Sequence, residues 1–461
     1  MMEKNMTKGN PMKLILMFAI PILLGNMVQQ FYNLADTMIV GRKLGEDALG
    51  AVGATGAVVS LLFSFIFGFS SGFSIVISQY YGAGKEVKMR KSIANTYVIG
   101  MSVSFLLLLA AHFGMPSLLK LLGTPEEFFD NSLSYIRIVV WGLPVTMLYN
   151  IFNSLLKAVG NSVVPLVILG ICAVLNVGLD FLFIFGFSLG IPGAATATVL
   201  AQCVSVVLCG IYVWKKAPIL HVTIKDFTPE LSIIFKLLTM GISMSLMLSI
   251  VSVGSVILQS GINSLGPQTV TAHTAGRKVL EIIMNPFSAI GAATSTFASQ
   301  NYGAGEQKRI KRGTIDGIAL TAIWSTLIVI VTYIFAPFMV QLITDETSPY
   351  VLETAVKYLK ISVPFFYALG VLVVVRNVLQ GIGQRIVPIL ASVIEMGGKA
   401  LVVYLLVPKI DYLAICIAEP SIWLFDGILV LVVFFMVAAG GIRTAKQKKK
   451  TPTGMEEANN S

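Results

Sequence analysis

Cysteine and histidine are almost missing from this chain of 461 residues, which has four of the first and three of the second. Cys172, Cys203, Cys209 and Cys416 all fall in long apolar stretches, at no metal-ligand spacing and on no loop, so they read as small packing residues. His112 and His273 lie in such stretches and His221 in a loop, which leaves no zinc site and no catalytic triad to assemble. Charge is scarce as well. Charged residues make up 12% of the chain against 56% hydrophobic ones, and the mean hydropathy is +0.83. A water-soluble core of this size cannot hide so much apolar surface, so the chain needs lipid. The net charge of +10 offers no folded basic surface for nucleic acid, because the cations are spread over the ends of apolar segments. No cleavable signal peptide is expected, since the first apolar segment is long and lacks a small-residue cleavage site.

What the chain does have is a repeat. Ser78-Gln79-Tyr80-Tyr81-Gly82-Ala83-Gly84 returns as Ser299-Gln300-Asn301-Tyr302-Gly303-Ala304-Gly305, at an offset of 299 − 78 = 221. Basic residues follow each copy: Lys85, Lys88, Arg90 and Lys91 in one, Lys308, Arg309, Lys311 and Arg312 in the other. A second pair aligns Lys157-Ala158-Val159-Gly160-Asn161 through Pro165 with Gln380-Gly381-Ile382-Gly383-Gln384 through Pro388, at 380 − 157 = 223. Two halves of similar hydropathy mark a membrane transporter, with the site where the repeats meet.

Apolar stretches of about 20 residues place helices near 13–40, 53–80, 94–118, 128–157, 163–186, 191–214, 231–262, 267–299, 313–341, 350–379, 386–408 and 412–438. The fold class is therefore all-α and integral to the membrane, with twelve transmembrane helices in two six-helix bundles. Residues 1–215 form the N-terminal bundle, 216–230 a cytoplasmic linker, 231–440 the C-terminal bundle and 441–461 a disordered basic cytoplasmic tail. Internal prolines (Pro21, Pro144, Pro286, Pro364, Pro420) predict kinks. The two repeat clusters, the basic linker and the tail cations Arg443, Lys446, Lys448, Lys449 and Lys450 fall on one side, which the positive-inside rule makes the cytoplasm. Both termini are then inside and the protein is multi-pass in the plasma membrane. The opposite loops carry little more than Arg42, Lys43, Lys120 and Lys409 with the acids Glu126, Glu127, Asp345 and Glu346.

The polar minority inside the spans carries the chemistry, because a carboxylate in a transmembrane helix costs a few kcal/mol and is a functional candidate by default. Gln29, Asn33 and Asp36 share a face of the first span, and Asn176 and Asp180 are one turn apart in the fifth. Asp36 lies 41 − 36 = 5 residues below the outer end at Gly41, and Asp180 lies 186 − 180 = 6 below Gly186. Thr198 in the sixth span reaches the same level. Two carboxylates, amides and a hydroxyl with no cation beside them describe a site for Na⁺ or H⁺, and Asp36, Asn176 and Asp180 are its metal-ligating candidates. The bland alternative is that each aspartate only bonds a neighbouring helix. Pro21 lies 36 − 21 = 15 residues before Asp36 and is a candidate hinge.

The second repeat has Ile257 and Val403 where the first has Asp36 and Asp180. It carries instead Arg277, Glu281, Arg376, Glu395 and Lys399 as candidate cavity residues, with Lys278, Glu419 and Asp426 in or near spans. Arg277 with Glu281 and Glu395 with Lys399 are spaced for i, i+4 ion pairs. Of the acids, only Glu281 and Glu395 are expected to lie far from the ends of their spans.

Taken together, the twelve spans, the segment Tyr32-Asn33-Leu34-Ala35-Asp36-Thr37-Met38-Ile39-Val40-Gly41, the twin Gln-x-Tyr-Gly-Ala-Gly loops and Asn176-Val177-Gly178-Leu179-Asp180 resemble the multidrug and toxic compound extrusion transporters over about residues 12–440. The resemblance implies an antiporter, not an enzyme, that expels drug-like and often cationic small molecules in exchange for Na⁺ or H⁺ and needs no cofactor. It implies two bundles related by a pseudo-twofold axis around a V-shaped cavity, alternating between outward and inward openings. It also implies ion coupling by Asp36, Asn153, Asn176, Asp180 and Thr198, although residue counting puts Asn153 nearer the cytoplasmic end. The expected partners are substrate and membrane lipid, with the chain a monomer. A lipid-linked oligosaccharide flippase of the same superfamily is the alternative, for which Arg277, Arg376 and Lys399 would suit a pyrophosphate. The sequence shows neither a selectivity-filter segment for a channel nor a nucleophile with its base for an enzyme.

The topology has a direct test. Cysteines placed at Lys88 and Lys308 are expected to react with an impermeant thiol reagent only from the cytoplasmic side, and labelling from opposite sides would overturn the twelve-span reading.

Overall fold

In the computed structural model, residues 5–121, 123–344 and 348–439 are described. Lys4, the outer-loop acids Asp345 and Glu346, and the tail 441–461 lie outside them. All regular structure among the described residues is helical. That follows from the solvent: hydrocarbon offers no partner to backbone N–H and C=O groups, and a helix satisfies its own.

Twelve long helical segments appear, in the order expected. Ten are long and apolar enough to cross a membrane: Pro11–Gly45, Gly50–Gly82, Glu86–Leu121, Val163–Gly186, Gly190–Lys216, Leu231–Asn263, Gln307–Leu342, Pro349–Gly381, Ile386–Ile410 and Tyr412–Ala439. Glu126–Trp141 and Leu143–Ala158 make a broken eleventh, bent by 46° next to Pro144. Its counterpart in the second half is interrupted by a 3-10 turn at Val363–Phe365 around Pro364, so two of the expected proline breaks occupy matching places. Pro21, Pro286 and Pro420 instead sit inside helices whose residues keep helical dihedrals. The twelfth segment, Pro267–Ala304, is the least apolar, with Arg277, Lys278 and Glu281 in its first half and a run of Thr, Ser, Gln and Asn in its second. That run is buried from Ala293 to Asn301. A helix covered by protein rather than lipid can afford such residues.

The duplication is visible in the backbone. Gly84 and Gly305 both adopt positive φ, 65° and 86°, and Gly160 and Gly383 do so at 83° and 90°. Each pair stands at the repeat offset, so the glycines are kept where the loop enters a left-handed conformation that other residues reach at a cost. Gly45 (φ 84°, ψ −174°) separates the first two spans.

The chain packs as two compact units. One comprises Leu24–Ile77 and Glu86–Ser249. The other holds the described residues up to Leu23, Ser78–Lys85 and the chain from Ile250 onward. Packing and repeat are thus different divisions, because 78–85 of the first repeat packs with the second unit and 231–249 of the second repeat with the first. In the first unit Ile39, Val40, Ala48, Ala51, Ile184, Ile191 and Ala194 make a buried apolar cluster. In the second, Phe18, Phe287, Phe297, Tyr358, Phe366 and Trp423 belong to a much larger one.

Within the second unit the twin loops cross. Gln79 Nε2 donates to the Gly381 carbonyl at 2.8 Å. A Cβ added at Gly82 would overlap the Gln300 carbonyl, and one at Gly303 the Gln79 carbonyl. Backbone cannot yield as a flexible side chain would. Gly303→Val is therefore expected to cost more than about 2 kcal/mol and to reduce the monodisperse gel-filtration peak of detergent-extracted protein. Gly114→Ala, at a position with nothing within 4 Å, should leave that peak unchanged. An equal peak for Gly303→Val would show that the crossing is looser than described.

Candidate functional site

The first unit gathers the expected residues. Asn176 and Asp180 project from the same face of Val163–Asp180, and Asp180 is fully buried. Immediately after Asp180 the helix widens to a π-helical stretch, Phe181–Gly186. Asp36 is half-buried on Pro11–Gly45, and its carboxyl lies beside that of Asp180. Two carboxyl groups this close are held together by a shared proton or a cation, since two bare carboxylates offer acceptors alone and repel. Asn176 completes the junction. With its amide oriented to satisfy both neighbours, Nδ2 donates to Asp180 Oδ2 at 3.1 Å and the amide oxygen accepts from the Thr198 backbone N–H at 3.2 Å. The Thr198 hydroxyl donates to the Ala194 carbonyl at 3.2 Å, and Tyr32 lies beside it.

Asp36 Oδ1, Asp180 Oδ1 and Asn153 Oδ1 are buried with no hydrogen-bond partner among the described residues. Unsatisfied hard oxygens fit a proton or a small cation. No group of three or more His, Cys, Asp or Glu side chains suited to a metal occurs among the described residues. A Na⁺ ion here would therefore take two carboxylates with amide, hydroxyl or backbone oxygens. Asn153 forms no side-chain bond to the aspartates among the described residues, so only its orphan oxygen speaks for it. Gln29 and Asn33 share the face of Asp36 but are exposed.

Two residues of this site were not singled out as its members. Tyr32 stands one turn before Asp36, so the i, i+4 rule places it on the same face. Tyr135, on Glu126–Trp141, lies within electrostatic reach of both aspartates and of Tyr32. Nothing in the spacing of its helix points to that.

The second unit carries a chain of ion pairs. Lys399 Nζ donates to Glu395 Oε1 at 2.8 Å, as the spacing predicts. Arg277 meets Glu281 at 3.2 Å, yet its principal partner is Glu419, to which Nη1 donates at 2.7 and 2.8 Å. Glu419 also lies 3.9 Å from Lys399, accepts from the Tyr358 hydroxyl at 3.4 Å, and is buried. Arg376 approaches Glu395 only at 3.9 Å. Glu281, by contrast, is 52% exposed. The expectation that Glu281 and Glu395 are the only acids deep in their spans is thus corrected: Glu419 and Asp426 sit well inside Tyr412–Ala439 and are buried. The expected span 412–438 agrees with the observed helix and already puts Asp426 near its middle, so the miss lay in weighing the acids and not in the boundary, and hydropathy alone does not reveal that Glu419 is buried.

Pro21 lies in Pro11–Gly45 just before the chain passes from one packing unit to the other, between Leu23 and Leu24. The stretch ahead of it is tied into the second unit. Met6, Ile15, Phe18, Ala19 and Ile22 are in its core. Met6 N donates to Gln300 Oε1 at 2.8 Å, and Arg309 donates to the Gly9 and Met6 carbonyls at 2.9 and 3.1 Å.

Comparison with known proteins places this geometry in a family. The MatE family model matches twice, at residues 21–182 and 243–405, once per repeat. A probable multidrug resistance protein of Bacillus subtilis (strain 168), YpnP, is 30% identical over 394 residues, covering 84% of this chain and 86% of that one. YoeA of the same organism, described in the same words, is 28% identical over 416 residues, covering 88% and 89%. In fold, the chain matches a MOP superfamily transporter from Pyrococcus furiosus with a TM-score of 0.87 at 21% identity, over 95% of this chain and 98% of that one. Two family matches in register with the duplication, and relatives aligned over more than four fifths of the chain, leave one conclusion: this multi-pass membrane protein belongs to the MatE family of multidrug efflux transporters and is not an enzyme.

Proposed function

We propose that the protein is a secondary antiporter of the plasma membrane that expels organic, often cationic, compounds in exchange for Na⁺ or H⁺ by alternating access. Both termini would be cytoplasmic, with basic residues holding the inner face. The observation that carries the reading is the contact between the Asp36 and Asp180 carboxyls, on different helices, with unsatisfied oxygens and no cation bonded to either. Such a pair holds one proton or one small cation readily and none only with difficulty, since two bare carboxylates in contact repel strongly away from water. The ion therefore works as a removable bond between the first and fifth helices. Two of the three cations that the flippase alternative needs, Arg277 and Lys399, are engaged by Glu419 and Glu395 rather than held open for a pyrophosphate, and only Arg376 is loosely paired.

Efflux of a fluorescent organic cation from proteoliposomes, with Na⁺ and pH gradients imposed separately, tests the reading and identifies the ion. Asp36→Asn and Asp180→Asn should each reduce gradient-driven efflux at least tenfold while protein yield stays within twofold, about the loss that removing a coupling group entails. Wild-type rates in both variants would refute the assignment.

A second element of the same reading is the hinge. Pro21 removes one backbone hydrogen bond from the first helix and lies beside the point where that helix changes packing unit. Bending there would let the Asp36 segment move while the segment before Pro21 stays fixed to its own core. Pro21→Ala should lower turnover several-fold and leave substrate affinity within about threefold, because a stiffer helix still builds the site but resists exchange. Equal turnover at matched protein levels would reduce Pro21 to architecture.

A further inference from the structure

One buried acid has no role in the reading above. Asp426 is fully buried in the middle of Tyr412–Ala439, and both its carboxyl oxygens lack a hydrogen-bond partner among the described residues. It is surrounded by charge all the same. Glu395 and Lys399 from Ile386–Ile410 and Arg376 from Pro349–Gly381 are within electrostatic reach. Two turns away on its own helix, Glu419 is held by Arg277 of Pro267–Ala304 and approached by Lys399. Arg376 is the matching incomplete partner. Its Nε is buried without an acceptor, and its contact with Glu395 is only 3.9 Å.

A bare aspartate stripped of water and of every hydrogen bond is costly to bury, and a carboxylic acid is far less so. The charges of the neighbours fit that reading. Arg277 pairs with Glu419 and Lys399 with Glu395, which leaves Arg376 to share Glu395 while Asp426 stays neutral. Na⁺ does not suit the place, since two cationic side chains, Arg376 and Lys399, would stand beside it.

We propose that Asp426 is a second proton-binding carboxyl, separate from Asp36 and Asp180, and that its ionisation transfers Arg376 from Glu395 to Asp426. The step is simple in its accounting: the O–H bond of Asp426 breaks, the proton leaves to water, and Arg376 keeps its own proton throughout. The ion pair then moves from Ile386–Ile410 to Tyr412–Ala439, so the two helices exchange an attractive contact. A coupling role for this event rests on the antiport reading. The proton site itself does not.

Infrared titration of the protonated-carboxyl C=O band of the full-length protein in nanodiscs tests it. In Asp36→Asn/Asp180→Asn, a titrating carboxyl band is expected to remain, and adding Asp426→Asn should abolish it. Arg376→Gln on the same background should move the midpoint to higher pH by about one unit or more, because it removes a cation that favours the charged form. Replacing Na⁺ by choline should leave the midpoint in place. A band that survives Asp426→Asn overturns the proposal, as does an unmoved midpoint in Arg376→Gln or one that depends on Na⁺. The Arg376→Gln measurement stands even if Asp426→Asn does not fold. Failure of gradient-driven efflux with the titration intact would sink the antiport reading and leave the proton site standing.

Discussion

Water is missing from the interior of a bilayer, and every polar group carried into it must find its partner within the protein. The rest of the structure depends on that single constraint. It makes the chain helical throughout the described residues, since a helix is self-sufficient in hydrogen bonds. It confines charge to ion pairs such as Arg277 with Glu419, and it collects the Ser, Thr, Gln and Asn run of Pro267–Ala304 where protein surrounds it. Exceptions to so strict a rule carry information. Among the described residues, the acids with buried, unpartnered oxygens are Asp36, Asp180 and Asp426.

The two units answer the constraint differently. In the first, no cation among the described residues pairs with the site's acids, and the carboxyls lie beside each other and neutral donors. In the second, acids and bases are interleaved along four helices. The first arrangement is incomplete without an added cation or proton. The second is nearly complete within itself, so it can rearrange internally instead of waiting on an ion from outside. A duplicated scaffold thus carries two polar centres of opposite design, and residues such as Ile257 and Val403 stand in the second half where the first has its carboxyls.

Much of this was legible in the residues. The offsets of 299 − 78 = 221 and 380 − 157 = 223 give the duplication, and the glycines inside those motifs prove to share positive φ. Apolar length gives the spans, and the depths of Asp36 and Asp180 foretell that they share a level. What spacing cannot foretell is which neighbour a side chain chooses across helices. Arg277 has Glu281 one turn away and prefers Glu419, 419 − 277 = 142 residues further on, because that acid is the buried one and a dry pair is the stronger. Tyr135 escaped for the same reason: its place at the site is fixed by helix packing, not by its own pattern. Nor does hydropathy reveal that residues 78–85 pack with the other unit, a matter of loop crossing alone.

The π-helical stretch after Asp180 has a counterpart. Val402–Leu406 winds in the same wide manner in the second half, and it starts 402 − 181 = 221 residues after Phe181, the offset of the twin loops. A π-turn takes up about one residue more than an α-turn, so it shifts the face that the following residues present. Two such irregularities at the repeat offset are more simply one irregularity copied. The ancestral half-length chain then already possessed the widened turn when it was duplicated. The widened turn includes Val403, where no acid stands, so the backbone irregularity does not depend on the carboxyl chemistry that it accompanies in the first half.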